Sequence, residues 1–229
     1  LGSGVLGMMR DGWPVTATIH HPITVDRELD LAHASGLRRR LSLRRWYGFL
    51  RMQLRVAPQI PRVVTVSTNS KTDIAAQMGV PLDHMTVVPI GVDELMFRPL
   101  PHIARVPGRL MTTASADVPL KGLSFLLEAL AKARVERPDA HLVVIGRLKE
   151  GSSVPALIES LGLEGAIEFV SGVTDERIVE LYAEAEAAVV PSLYEGFSLP
   201  AVEAMACGVP VIATARALSP PATRPPSPR

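Results

Sequence analysis

The sequence predicts a doubly wound α/β fold, and three observations carry that expectation. Beyond residue 108, short aliphatic runs alternate with longer stretches whose apolar residues recur at helical spacing, which implies right-handed βαβ units in a parallel sheet. Hydrophobic residues make up 47% of the chain and aromatic residues only 4%, so the core is aliphatic and rich in alanine. A proline-containing connection, Leu100–Gly108, separates this run from an earlier segment with strands of its own, and 229 residues suffice for two small domains.

In the earlier segment the β-branched run Val15–His20 reads as a buried strand. Gly36–Ala57 reads as one long helix closed by Pro58. Arg62–Ser67 is a second strand, followed by a helix over Asn69–Met78 that stops at Gly79. Met85–Pro89 is a third short strand, after which Ile90–Asp93 turns toward the connection. Beyond the connection, strands are expected at Arg109–Ala114, His141–Gly146, Ile167–Ser171, Ala187–Pro191 and Val209–Ala213. Helices are expected between them at Gly122–Arg137, Val154–Leu161, Glu176–Ala185 and Leu199–Ala206. In the first of these helices Leu123, Leu126, Leu127 and Leu130 share one face. The expected domains are thus 1–99 and 100–214, with a disordered tail over 215–229, where proline fills five of the last ten positions.

Ligands in such folds bind beyond the carboxyl ends of the strands, where Gly146, Ser171 and Tyr194 fall. The most informative stretch lies there: Pro191–Pro210, PSLYEGFSLPAVEAMACGVP. It reads as the end of a buried strand, then a loop through Tyr194-Glu195-Gly196-Phe197, then a helix. Gly196 permits close backbone approach, Ser198 is an expected N-cap, Pro200 suits the first turn and Gly208 supplies the stop. A helix N-terminus in this place offers free N–H groups and a partial positive charge suited to phosphate. Glu195 beside it and Glu203 one turn inside it could accept hydrogen bonds from sugar hydroxyls. A bare pair of glutamates at this spacing would leave an ordinary strand–loop–helix equally open; the EGF, LP, EAMA and GVPVIA segments in one register favour a ligand site.

This stretch resembles the donor-site motif of the group-1 glycosyltransferases, the retaining family-four branch with the GT-B fold. The resemblance runs from about Trp13 to Thr214 and includes Gly91, Val92, Asp93, Phe97 and Pro99 in the family pattern. It implies two Rossmann-like domains, the first only partly present and the second incomplete at its C-terminus, so that the chain reads as a fragment with little activity or solubility of its own. It implies sugar transfer from a nucleotide-diphosphate donor with retention of configuration, without a metal and without a cofactor. Glu195 would contact the donor sugar as a positioning residue and Glu203 the ribose, while the amides of Gly196, Phe197 and Ser198 approach the diphosphate. Lys121 stands where the family places its diphosphate lysine; Ser115 replaces the arginine usual about six residues earlier, and Arg147 is a candidate to take over. His20, which fits the register better than His21, would point toward the sugar and acceptor. Gly172 and Val173 would flank the base.

Composition narrows the remaining classes. A formal net charge of +1 argues against general nucleic-acid affinity, and the single Cys207 rules out an internal disulfide. No Asp-x-Asp occurs, so a metal-bound diphosphate is not expected. No apolar run has a membrane-spanning length and no signal peptide is visible, so a cytoplasmic protein is expected. The Arg38–Arg55 segment carries seven arginines with Trp46, Tyr47 and Phe49 among them, which suits either an anionic membrane face or a solvated helix. Gly2–Gly7 matches G-x-G-x-x-G, which leaves a nicotinamide-dependent Rossmann enzyme as the alternative, although no strand can precede it here. A non-catalytic truncated product is the other. The sugar, the base and the acceptor, whether lipid, saccharide or small molecule, stay open.

Overall fold

Two parallel sheets organise the chain. A computed structural model describes residues 2–34, 36–113, 118–215 and 217. The described residues divide into two compact units: those up to Ile90 together with Glu195–Phe197, and Gly91–Tyr194 together with those from Ser198 onward.

The first unit contains β1 (Ala17–Thr18), β2 (Val63–Thr65) and β3 (Met85–Val87), paired in parallel in that order with Ala17 opposite Val63 and Val63 opposite Met85. Its helices are α1 (Gly4–Arg10), α2 (Thr24–His33), α3 (Leu37–Trp46), α4 (Leu50–Val56) and α5 (Thr68–Met78). Ser67 caps α5 by accepting the Ser70 N–H at 3.0 Å. The core joins Ala17, Val63 and Met85 of the strands, and Ile19 just past β1, to Val56, Ile74 and Met78 of the helices. Three features depart from the sequence reading. The first strand is shorter than Val15–His20, because its partner β2 spans only three residues. The single helix expected over Gly36–Ala57 is broken by a tight turn, Tyr47–Phe49, centred on the poor helix former Gly48. Tyr47 is buried there and donates to Asp30 Oδ2 at 2.7 Å, so a tertiary contact fixes the break. Helix α2 was not foreseen; Ile23, Leu31 and Ala34 flank or line it and pack against Leu43, Tyr47 and Leu50.

The second unit contains β4 (Arg109–Thr113), α6 (Leu123–Glu136), β5 (His141–Ile145), α7 (Val154–Ser160), β6 (Ile167–Val170), α8 (Asp175–Glu184), β7 (Ala187–Val190), α9 (Leu199–Ala206) and β8 (Val211–Ala213). All five strands run parallel, in the order β6-β5-β4-β7-β8. Both faces are covered, as the alternation within β5 shows. Leu142 and Val144 pack with Leu123, Leu127 and Leu130 of α6, whereas Val143 packs with Val179 and Tyr182 of α8 and Ala204 of α9. Burial on two faces explains why these strands read as continuous aliphatic runs. The expected residue Ala114 and all of the expected tail except Ala215 and Ala217 lie outside the described residues.

Strand order reverses at β4 and β7, and the loops leaving these two strands meet. A short helical turn, Pro119–Lys121, leads to Gly122 at φ +65°, the N-cap of α6. A Cβ on Gly122 would stand 2.1 Å from the Pro191 carbonyl oxygen, so only glycine fits this position. Alongside, the Leu193 N–H donates to the Leu120 carbonyl at 2.8 Å. Gly122→Ala is therefore expected to destabilise the protein by about 2 kcal/mol or more, through left-handed strain and loss of this contact. Urea unfolding measures it; a change below about 0.5 kcal/mol, the size of an ordinary surface substitution, would show the contact to be dispensable.

Candidate functional site

In the second unit the expected site residues gather at the carboxyl edge of the sheet, at the point where strand order reverses. This is the crevice in which open α/β sheets bind ligands. Lys121 ends the turn after β4, half-buried, and the Leu193–Leu120 bond ties that turn to the loop after β7. The Ser192 carbonyl accepts from the Thr214 hydroxyl, which anchors the same loop to the chain beyond β8. Ser198 occupies the N-cap position of α9 with an extended backbone, but its hydroxyl makes no cap bond. That corrects the expected side-chain cap: Ser198 Oγ is buried with no hydrogen-bond partner, and the residue is 5% exposed. An orphaned buried hydroxyl at an uncapped helix N-terminus is a polar group whose partner an incoming ligand can supply.

Glu203 lies in the second turn of α9, half-buried. Its Oε2 accepts from the hydroxyl of Tyr182 at 3.4 Å, and the same hydroxyl stands 3.2 Å from the Pro200 carbonyl. Burial pushes the Glu203 carboxyl above the ordinary carboxylate range; the Tyr182 hydrogen bond pulls it back, and the charge of Asp175 pushes it up again. Burial raises Tyr182 as well, with the Glu203 charge adding to it. Cys207, one turn beyond Glu203, is buried and pushed up to about 11, chiefly by burial, so it is a packing thiol rather than a nucleophile.

Gly172 and Val173 follow β6, at the far edge of the sheet from β7. Gly172 is exposed, and Thr174 caps α8, accepting the Arg177 N–H at 3.4 Å. Two residues on, at the head of α8, the charge of Asp175 acts to raise the Glu203 carboxyl. Arg147 is exposed just past β5, and Ser115 lies outside the described residues.

Glu195, Gly196 and Phe197 group with the first unit. Gly196 is buried against the His20 backbone: a Cβ there would meet the His20 carbonyl oxygen at 2.5 Å. Ser70, fully buried, donates through Oγ to the Gly196 carbonyl at 3.2 Å. The structure thus brings Gly196 to His20, and adds Ser70, which nothing in the sequence singled out beyond its place in a helix's first turn. The His20 residue is exposed, whereas His21 pairs with Asp26 at 2.9 Å. Glu195 and Phe197 are half-buried. The glycine motif at Gly2–Gly7 runs into the seven-residue helix α1, whose Ser3 cap position makes no side-chain bond. On α3, Leu37, Leu41 and Trp46 are exposed by 79%, 62% and 71%, while Leu43 is buried.

Comparisons with known proteins bear on this arrangement. Residues 105–223 match the family of glycosyl transferases group 1, and residues 1–94 match Glycosyltransferase Family 4. An MMP alpha-(1->4)-mannosyltransferase of Mycolicibacterium hassiacum is 49% identical over 214 residues, covering 93% of this chain and 51% of the relative. A D-inositol 3-phosphate glycosyltransferase of Acidothermus cellulolyticus is 32% identical over 169 residues, covering 66% of this chain and 38% of the relative. The chain therefore spans about half the length of the first of these relatives and less of the second. Sucrose-phosphate synthase from Thermosynechococcus elongatus is similar in structure with a TM-score of 0.70 at 22% identity, over 93% of this chain and 54% of that one. Anabaena HepE, solved in complex with UDP and glucose, gives a TM-score of 0.68 at 23% identity, over 92% of this chain and 55% of that one. With its two parallel-sheet units of GT-B type and both family matches in sequence order, the chain belongs to the group-1, family-four glycosyltransferases.

Proposed function

We propose that this chain carries the donor site of a glycosyltransferase that moves a sugar from a nucleotide diphosphate to an acceptor with retention of configuration. The observation that carries this reading is the joining of the Lys121 turn to the loop after β7, which sets a lysine and the uncapped N-terminus of α9 on the same two joined loops. A cation and a helix N-terminus held together suit a diphosphate, and the unpartnered Ser198 hydroxyl offers it a further hydrogen bond.

In this reading Glu203 accepts from the ribose hydroxyls, and Gly172 and Val173 flank the base. Glu195 and the amides of Gly196, Phe197 and Ser198 position the sugar. Lys121 and the α9 N-terminus stabilise the charge that develops on the departing diphosphate, in place of a metal ion. The acceptor attacks from the face that the diphosphate leaves, a leaving-group oxygen takes its proton, and Glu195 stays a positioning group rather than a covalent nucleophile. His20 stands on the acceptor side. The similarity to a mannosyltransferase at 49% identity makes mannose the first sugar to test and a saccharide the first acceptor class.

Thermal melting of the full chain with UDP, GDP, ADP or NAD tests this. One nucleoside diphosphate at about 100 times its dissociation constant should stabilise by about 2.7 kcal/mol. Glu203→Ala should abolish that shift. A shift with NAD alone would instead support the nicotinamide reading.

We place the protein in the cytoplasm and further propose that α3 rests on an anionic membrane surface. Leu37, Leu41 and Trp46 project from a helix bearing Arg38, Arg39 and Arg45, and no acidic residue occurs between Asp30 and Asp73. Among the described residues no helix is long and apolar enough to cross a membrane, so the contact would be peripheral. The chain should sediment with phosphatidylserine-rich vesicles at low salt and not with phosphatidylcholine alone. Replacing Arg38, Arg39 and Arg45 together by alanine should weaken this on the order of 100-fold, at about 1 kcal/mol per charge. Equal sedimentation with both vesicle types would leave the arginines without this role.

A further inference from the structure

Tyr182 has no place in the reading above, yet its geometry points at the proposed site. Its ring is 1% exposed, set among Met111, Val143, Ala188, Ala204 and Cys207, where strands and both α8 and α9 enclose it. A ring so enclosed cannot change rotamer without opening the core. Its hydroxyl emerges at the first turns of α9 and stands between two acceptors three residues apart, the Pro200 carbonyl and Glu203 Oε2. The other carboxylate oxygen of Glu203 has no partner among the described residues. One carboxylate oxygen therefore lies within reach of a hydroxyl fixed in the core, which shares its single proton between this oxygen and the Pro200 carbonyl.

We propose that Tyr182 is a positioning residue for donor recognition, its buried hydroxyl orienting the Glu203 carboxylate for the hydroxyls of the ribose. This rests on the donor-site reading of Glu203. The arrangement has a chemical logic. A glutamate on a helix has three rotatable bonds to order before it can meet a diol, and a hydrogen bond from a side chain that is already immobile removes part of that cost in advance. The groups facing the carboxylate are Tyr182 from α8, Asp175 from the head of α8 and Cys207 from α9. Of these Tyr182 alone favours the charged form, and the charged form is the one that accepts two hydroxyls.

The test is a cycle of single and double variants in the full chain, with calorimetry using whichever of UDP, GDP or ADP binds the unaltered protein. Tyr182→Phe keeps the ring and removes only the hydroxyl. It should weaken binding about threefold to tenfold, the effect of one hydrogen bond. The same substitution made in a Glu203→Gln background should cost less than about twofold, because the group it serves is already lost. A loss of equal size in both backgrounds, or none in either, would overturn the inference. A second readout is pH. Binding requires ionised Glu203 and so falls as pH drops through its raised pKa; without the Tyr182 hydrogen bond, which lowers that pKa, the acid limb should move to higher pH. An acid limb that stays where it is in Tyr182→Phe would also count against it. Absence of binding by any nucleoside diphosphate to the unaltered chain would refute the donor-site reading itself, a distinct result.

Discussion

The reversal of strand order between β4 and β7 is the constraint on which the second unit's chemistry depends. The chain runs outward from β4 through β5 to β6 and must then pass back over β4 to lay down β7. Right-handed crossovers put the outward helices on one face and the returning helices on the other, and the two apolar clusters follow that division. The loops leaving β4 and β7 would diverge toward opposite faces, but here they are pinned together at their roots. Gly122 lies against the Pro191 carbonyl, and the Leu193 N–H closes on Leu120. The backbone carrying Lys121 and that of Pro191–Leu193 is thereby one piece rather than two independent arms. Groups held this way have little freedom left to lose when a ligand arrives.

How much of this could be read from the sequence differs between the two units, for a physical reason. In the second unit strands buried on both faces leave unbroken aliphatic runs, and Leu199–Ala206 falls where the motif put it at both ends. In the first unit the helical segments are rich in arginine, and their periodicity says little about where they bend. The break at Tyr47–Phe49 depends on a hydroxyl reaching Asp30, seventeen residues back. The site shows the same contrast. Its motif residues are close in sequence and were legible as a spacing. Their supports were not, because Ser70 meets Gly196 across 126 positions and Tyr182 meets Glu203 across 21. Ser198 shows a different failure: the residue type and position say cap, but the buried hydroxyl makes no bond to the helix N–H groups.

Charge is used differently in the two units. In the second, Arg109 pairs with Glu184, Arg177 with Glu184 and Glu180, and Arg137 with Asp139 and Glu186. Glu184 and Glu186 flank the start of β7 and Arg109 opens β4, so these pairs gather toward the amino edge of the sheet, away from the proposed ligand. The pairs made by Arg137 are exposed and add little stability each, at about 0–1 kcal/mol, whereas Arg109 and Glu184 are largely buried. The first unit does the reverse along α3 and α4, where no acidic side chain in the intervening sequence offsets the arginines.

Glu203 stands where these demands meet. A carboxylate in water is well solvated, and a ligand hydroxyl must displace that water to gain a hydrogen bond, so the net gain is small. A fully buried carboxylate would take up a proton instead and lose half its accepting capacity. Half-burial is the intermediate solution: part of the hydration is already gone, which is why the pKa is raised, and the Tyr182 hydroxyl offsets part of that loss. Asp175 works against that balance, and its position at the head of α8 couples it to the loop proposed to face the base. The burial that makes this glutamate costly to ionise is thus what makes its bonds to incoming hydroxyls worth more than they would be at the surface.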